Sequence, residues 1–233
     1  MTRLLARLRD QHRGVALIEF ALMAPIFITM ILGGSELANY ITVRMRISQI
    51  ALQIADNAAR MGNGSKLSAK KITDVDINDL FQGAQMESGG DKGLDLKKNG
   101  RVILSDVEPV ANTSTNSTYR IGWQRCFGDQ TSHASAFGRS GDTNLVGVGP
   151  STALASGYTQ TIALQDGATM FVEVFYKYQP LIAGKWIAEK NITEVASMSV
   201  RDRRDLTSDS SAGSAATHPD GVYKVAGVTP ATC

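Results

Sequence analysis

Residues that carry catalytic or metal chemistry are scarce in this chain. Its 233 residues hold three histidines, His12, His133 and His218, and two cysteines, Cys126 and Cys233. None stands at a spacing that gathers metal ligands, so no metal centre is expected. Asp129, Ser132 and His133 fall together in a stretch rich in Gly and Ser. A nucleophilic triad needs packed, pre-oriented side chains, which such a stretch does not suggest. Gly147-Val148-Gly149 lacks the strand-to-helix setting and the following Lys of a phosphate loop. The chain therefore reads as a non-enzyme with no cofactor. An excess of one charge is missing too: 24 basic against 22 acidic residues leave +2. With no long basic stretch beyond the N-terminus, a nucleic-acid footprint is not supported. No internal repeat is present.

What the chain has is a long apolar run. Residues 13–34 read RGVALIEFALMAPIFITMILGG and carry one carboxylate, Glu19. The twenty residues from Val15 to Gly34 make a helix of about 30 Å, the thickness of a bilayer core. A cleavable secretory signal has a shorter apolar region of about 7–15 residues, which argues against a cut near Gly33–Ser35. Arg3, Arg7, Arg9 and Arg13 precede the run against Asp10 alone, while Arg44 and Arg46 lie close on the far side. That bias places the N-terminus in the cytoplasm and residue 36 onward outside it. A charge within such a span costs a few kcal/mol on insertion scales, so Glu19 calls for a reason.

The run does not end in a turn. Ile47, Ile50, Ala51, Ile54, Ala58 and Met61 recur at steps of three and four, with Arg46, Gln49, Gln53, Asp56, Asn57 and Arg60 between them. Gly62-Asn63-Gly64 is a helix stop. One helix from Val15 to Met61 would be about 70 Å long, lipid-suited in its first half and amphipathic in its second. Kinks or local melting are expected at Pro25 and Gly33-Gly34.

The remainder is long enough for one domain. A capped helix is expected from Asp76 to Met86, with Ile77, Leu80 and Phe81 on one side. Strands are expected at 101–107, 118–126, 169–178 and 192–201, with 128–166 a long excursion of little regular structure. Successive strands with irregular links predict an antiparallel sheet and an α+β fold class. The sheet is expected to cover the Ile47–Met61 stripe, and Phe171, Phe175, Tyr176 and Tyr178 read as core. Residues 207–221 are low in complexity and expected to be flexible. The domain plan is thus 1–14, a cytoplasmic basic leader; 15–35, the membrane half of the helix; 36–62, its amphipathic half; 63–206, an extracytoplasmic α+β domain; and 207–233, a flexible tail ending in Cys.

Cys126 and Cys233 both fall in the part placed outside the cytoplasm, where a disulfide between them is expected, with an intermolecular bridge left open. An intramolecular bond closing roughly a hundred residues stabilises by up to about 4.7 kcal/mol in the chain-entropy account. Asn112, Asn116 and Asn191 begin glycosylation-type triplets but read as ordinary polar positions.

The pattern of a basic flank, Gly14, four apolar residues, Glu19, Phe20 and a long apolar run resembles type IV prepilins of the tight-adherence branch. The whole chain resembles TadE-like pseudopilins, through VALIEFALMAPIF, the long helix, and the strands FVEVFYKYQP and SMSVR. The resemblance implies a type IV pilin-like fold, the long helix packed on a small antiparallel sheet. It implies cleavage by a prepilin peptidase between Gly14 and Val15, and Glu19 paired with the new N-terminal ammonium of a neighbouring subunit. It further implies membrane lipid, other pilin-like subunits and a pilus assembly platform as partners. The place implied is a bacterial inner membrane, single-pass, with the C-terminal domain periplasmic or carried into a pilus. The size of the domain suits a minor component, since major pilins of this branch are far shorter. The other reading is an uncleaved, signal-anchored periplasmic binding or scaffold protein.

Overall fold

The computed structural model describes residues 12–65, 68–110, 118–150, 160–163, 167–182 and 190–233. The flank Arg3, Arg7, Arg9 and Asp10, the Arg13 side chain, and Asn112 and Asn116 lie outside the described residues.

The first described element is a helix, α1, which runs from His12 to Arg60 among the described residues. It stays helical through Pro25 and Gly33-Gly34, without the melting expected there. Apolar, helix-favouring side chains fill it, and its hydroxyls turn inward to the backbone. Thr29 Oγ1 donates to the Ile26 carbonyl and Ser35 Oγ to the Leu32 carbonyl, both at 2.8 Å. Such local bonds satisfy polar groups that an apolar solvent would not. Gly62, at φ +107°, takes the left-handed conformation beyond the helix end, where a Cβ would meet the Lys71 carbonyl oxygen at 3.0 Å.

The chain forms two compact units. One holds Met1–Thr42 and Gln179–Ala188, the other Val43–Tyr178 and Glu189–Cys233. In the first, the apolar side chains from Val15 to Leu32 are exposed. In the second, Val43, Ile47, Ile50, Ala51, Ile54, Ala55 and Ala58 of α1 are buried.

The second unit is built on a sheet of four antiparallel strands. These are β2 (Gly100–Pro109), β3 (Tyr119–Phe127), β4 (Thr169–Lys177) and β5 (Asn191–Ser199), in the order β3-β2-β4-β5. A helix, α2 (Asp74–Glu87), precedes them, after a two-residue strand β1 (Ile72–Thr73). Asp76 is the third residue of α2 and not its cap; Thr73 is the cap. The two side chains bond each other's backbone amides, a reciprocal box, and the helix starts two residues earlier than expected. A single turn, α3 (Leu96–Asn99), leads into β2.

Alternation divides the sheet into two faces. Val102, Leu104, Asp106 and Glu108 share one, where helices cover it. Phe81 of α2 stacks on Phe127 at 5.6 Å, Arg125 bonds Asp74, and Arg44 of α1 bonds Glu194 of β5 at 2.7 Å. Ile103, Ser105 and Val107 share the other face, and the segment after β3 lies on it. Phe137 meets Phe171 edge-on at 5.5 Å, and Leu145 pairs with Tyr119. Val107, Tyr119, Ile121, Val148, Ala163 and Phe171 close a second core there. Thus the described part of the 128–166 excursion, poor in regular structure as expected, serves as the sheet's second layer. That is why β2 is buried at nine consecutive positions, unlike an antiparallel strand with one wet face.

The tail differs from expectation. Residues 207–233 are folded into the second unit, not a flexible end. β6 (Val222–Tyr223) pairs in parallel with β1. The Asp209 carboxylate accepts from the Thr217 and His218 amides, and Ala216 and Val222 are buried. Tyr223 donates to Asp205 at 2.7 Å, a bond that pushes its hydroxyl pKa up to about 12. Small polar residues make this segment look unstructured in sequence, but a single carboxylate bonding several backbone amides orders it locally.

Candidate functional site

The residues singled out from the sequence fall in two places. Gly14, Val15, Glu19 and Phe20 lie within the first nine described residues of α1, exposed, and a Cβ built on Gly14 meets nothing within 4 Å. Glycine at position 14 lowers helix stability by up to about 1 kcal/mol relative to alanine. Glu19 makes no hydrogen bond or ion pair among the described residues. Leu17, Ile18 and Phe20 around it are exposed, so its carboxylate is presented on an apolar rod.

Cys126 and Cys233 are disulfide-bonded across 107 positions, with Cα atoms 4.8 Å apart. The Cys126 amide also donates to the Ala231 carbonyl at 2.8 Å. The chain end is thereby tied to the edge strand β3.

A second acid on α1 went unread in the sequence. Glu36 is only 7 % exposed, and its carboxylate accepts from the amides of Leu181 at 2.9 Å and Ile182 at 3.2 Å. All three residues belong to the first unit. The one signal available was an acid directly at the end of the apolar run; its partners lie about 145 positions away and are backbone groups, which leave no mark in sequence.

Among the described residues four acids are buried in the sheet unit: Asp74, bonded to Arg125, and Asp106, Glu108 and Glu173. Glu173 is fully buried, bonded to His133 Nε2 at 2.9 Å and to the Ala136 amide. His133 in turn stacks on Phe175 at 4.1 Å. The histidine thus pins the covering segment to β4; Ser132 is exposed and Asp129 is not bonded to His133, so these three are not assembled into a triad. Glu108 accepts from Arg120 at 2.6 Å. Asp106 is fully buried with neither oxygen bonded to a donor, and burial, aided by the nearby Glu108, holds its pKa well above the ordinary carboxylate range. Arg204, which donates to the Ala58 carbonyl, opposes that shift. Among the described residues, no group of His, Cys, Asp and Glu is placed to hold a metal ion.

The arrangement defines a class: one helix long and apolar enough to cross a membrane, continuous with an α+β domain. The model of the family described as TadE-like protein matches residues 14–62, from Gly14 to the glycine that ends the helix. The match covers about a fifth of the chain, and over that segment the chain is similar to TadE-like proteins. No curated protein and no solved structure matches the chain.

Proposed function

We propose that this protein is a minor pilin-like subunit of a tight-adherence pilus system, without enzymatic activity. It enters the bacterial inner membrane with its N-terminus in the cytoplasm and its domain in the periplasm. A prepilin peptidase cuts between Gly14 and Val15, and the subunit then joins other pilin-like subunits through α1 at the assembly platform. The observation that carries this reading is an open Gly14 together with a Glu19 that has no partner among the described residues, on a helix similar to TadE-like proteins. The cut would leave an ammonium at Val15. An ammonium and a carboxylate are each costly in an apolar setting and tolerable when paired, which gives Glu19 a partner on a neighbouring subunit.

Mass spectrometry of the mature protein from its native host tests the cut. The expected product starts at Val15 and is lost when the peptidase is blocked or when Gly14 is replaced. An intact Met1, or a start near Ser35, overturns the reading and leaves an uncleaved or differently cleaved anchor. Glu19→Ala is expected to be cut normally yet fail to co-assemble with other subunits. Normal assembly of that variant would remove the charge pairing alone.

A further inference from the structure

The end of the apolar run and the bond at Glu36 fix a depth. Twenty helical residues from Val15 to Gly34 span about 30 Å, the hydrocarbon thickness of a bilayer. Glu36 follows two residues later, about 3 Å farther along the axis. The headgroup layer beyond the hydrocarbon is about 5–8 Å thick on each side. Glu36 therefore stands in that layer whenever the run spans the membrane. There its carboxylate binds two consecutive backbone amides, of Leu181 and Ile182. Two bonds to adjacent amides hold a short segment in both position and orientation. The same segment presents Leu181 with 65 % of its surface exposed, next to Pro180, which has no amide to leave unsatisfied. An exposed leucine on a water-facing loop has no meaning by itself. Held at headgroup depth, it faces the boundary between headgroups and acyl chains.

We propose that Gln179–Ile182, clamped to the helix by Glu36, is a lipid-contacting foot that seats in the interface of the outer leaflet and inserts Leu181 into it. Its partner is the lipid surface. Glu36 is the positioning residue that sets its depth. This rests on the membrane-spanning reading of α1 and adds to it a second, separate lipid contact from a part of the chain far away in sequence. The consequence is that the helix has a fixed stop: it does not slide deeper without burying the clamped loop, and it does not rise without withdrawing Leu181.

Depth-dependent quenching tests this on the full-length protein in vesicles of phosphatidylethanolamine and phosphatidylglycerol. Because Cys126 and Cys233 are bonded, Leu181→Cys offers a single thiol for an environment-sensitive fluorophore. Phe27→Cys reports the helix, and Val146→Cys, 76 % exposed in the second unit, serves as the water reference. The label at 181 is expected to be quenched several-fold more strongly by lipids spin-labelled near the headgroup than by those labelled deep in the chain, with the label at 27 showing the reverse preference. Glu36→Ala should bring quenching at 181 down to the level at 146, while Glu36→Gln, which keeps an acceptor oxygen, restores most of it.

Quenching at 27 without quenching at 181 overturns the foot and leaves the membrane span standing. No quenching at 27 removes the span itself. Quenching at 181 that survives Glu36→Ala overturns the clamp. Protection of 181 that grows with protein density and not with lipid would assign the surface to another subunit, against this proposal.

Discussion

Two stretches of one helix obey opposite rules. From Val15 to Leu32 the apolar side chains of α1 are exposed all round, whereas from Val43 to Ala59 they are buried along one stripe. The backbone is the same and the helix is unbroken. The difference lies in what solvates it. The first stretch is apolar on every side, as a lipid-facing helix must be; the second keeps Arg46, Gln49, Gln53 and Arg60 between its apolar positions, as a helix on a domain must. The acids follow the same division. Glu19, in the first stretch, has no partner among the described residues, and Glu36, at its end, is closed by two amides of the chain itself.

The largest test of this comparison places one carboxylate in each stretch. Ile47 is fully buried, so Ile47→Asp is expected to cost more than about 4–5 kcal/mol and to unfold the sheet unit. Ile28, exposed in the apolar stretch, tells the opposite story: Ile28→Asp should leave the unfolding transition unchanged. It should instead reduce membrane insertion, by about 2.5–3.5 kcal/mol at mid-span. Circular dichroism against denaturant in detergent reads the first effect, and carbonate extraction of membranes reads the second. If both substitutions unfold the domain alike, the two stretches are not solvated differently.

The next test asks what holds the second unit closed on itself. Reduction of Cys126–Cys233, or replacement of both by Ser, is expected to destabilise it by about 2–5 kcal/mol. The bond ties the chain end to β3, and β6 reaches back to β1, so the loss should include the 207–233 segment. Unfolding midpoints with and without reductant measure it. The apolar stretch of α1, which contains no cysteine, should remain helical in detergent throughout.

Much of this was legible in the sequence, and for identifiable reasons. The helix announced itself through the three-four spacing of Ile47, Ile50, Ile54 and Ala58, and its end through Gly62. Each of the four strands was found to within about two residues, because runs such as Thr169–Lys177 carry local β-branched and aromatic signals. Strand order was not legible, since pairing β2 with β4 joins residues some seventy positions apart and leaves no local trace. The second layer on the sheet escaped for the same reason. Val148 and Ala163 lie in short apolar pieces, Leu145-Val146-Gly147-Val148 and Ile162-Ala163-Leu164, too brief for a period, and only the surface of β2 and β4 makes them core. Glu36 and Glu173 show the limit most sharply. A buried acid is defined by its donors, and here those are backbone amides or a distant histidine. At the start of α1 the sequence offers a glycine and an acid at a fixed interval, and no described residue of this chain pairs with Glu19.

The smallest effect concerns how the sheet unit holds an acid that no donor meets. In the folded protein Asp106 keeps its proton to well above the ordinary value of 3.8, chiefly because ionising it would place a charge in a dry interior. Between that ordinary value and the raised one, the unfolded chain has released a proton that the folded chain still holds. Folding is then coupled to proton uptake, and stability falls as pH rises through this window before levelling above it. Asp202, Asp205 and Asp209, whose pKa values are lowered, slope the other way but finish near 4, so they do not mask the effect at higher pH. Asp106→Asn removes the titrating proton while keeping the shape of the side chain. The variant should be more stable than the parent at neutral pH by on the order of 1–3 kcal/mol and should show a shallower downward slope above pH ~4.5, the remainder coming from Asp74 and Glu87, whose pKa values burial also raises. Urea midpoints measured from pH 4.5 to 8.5 decide it. An unchanged slope would mean that Asp106 is already ionised and paired with Arg204, and that the sheet unit closes its acids as completely as α1 closes Glu36.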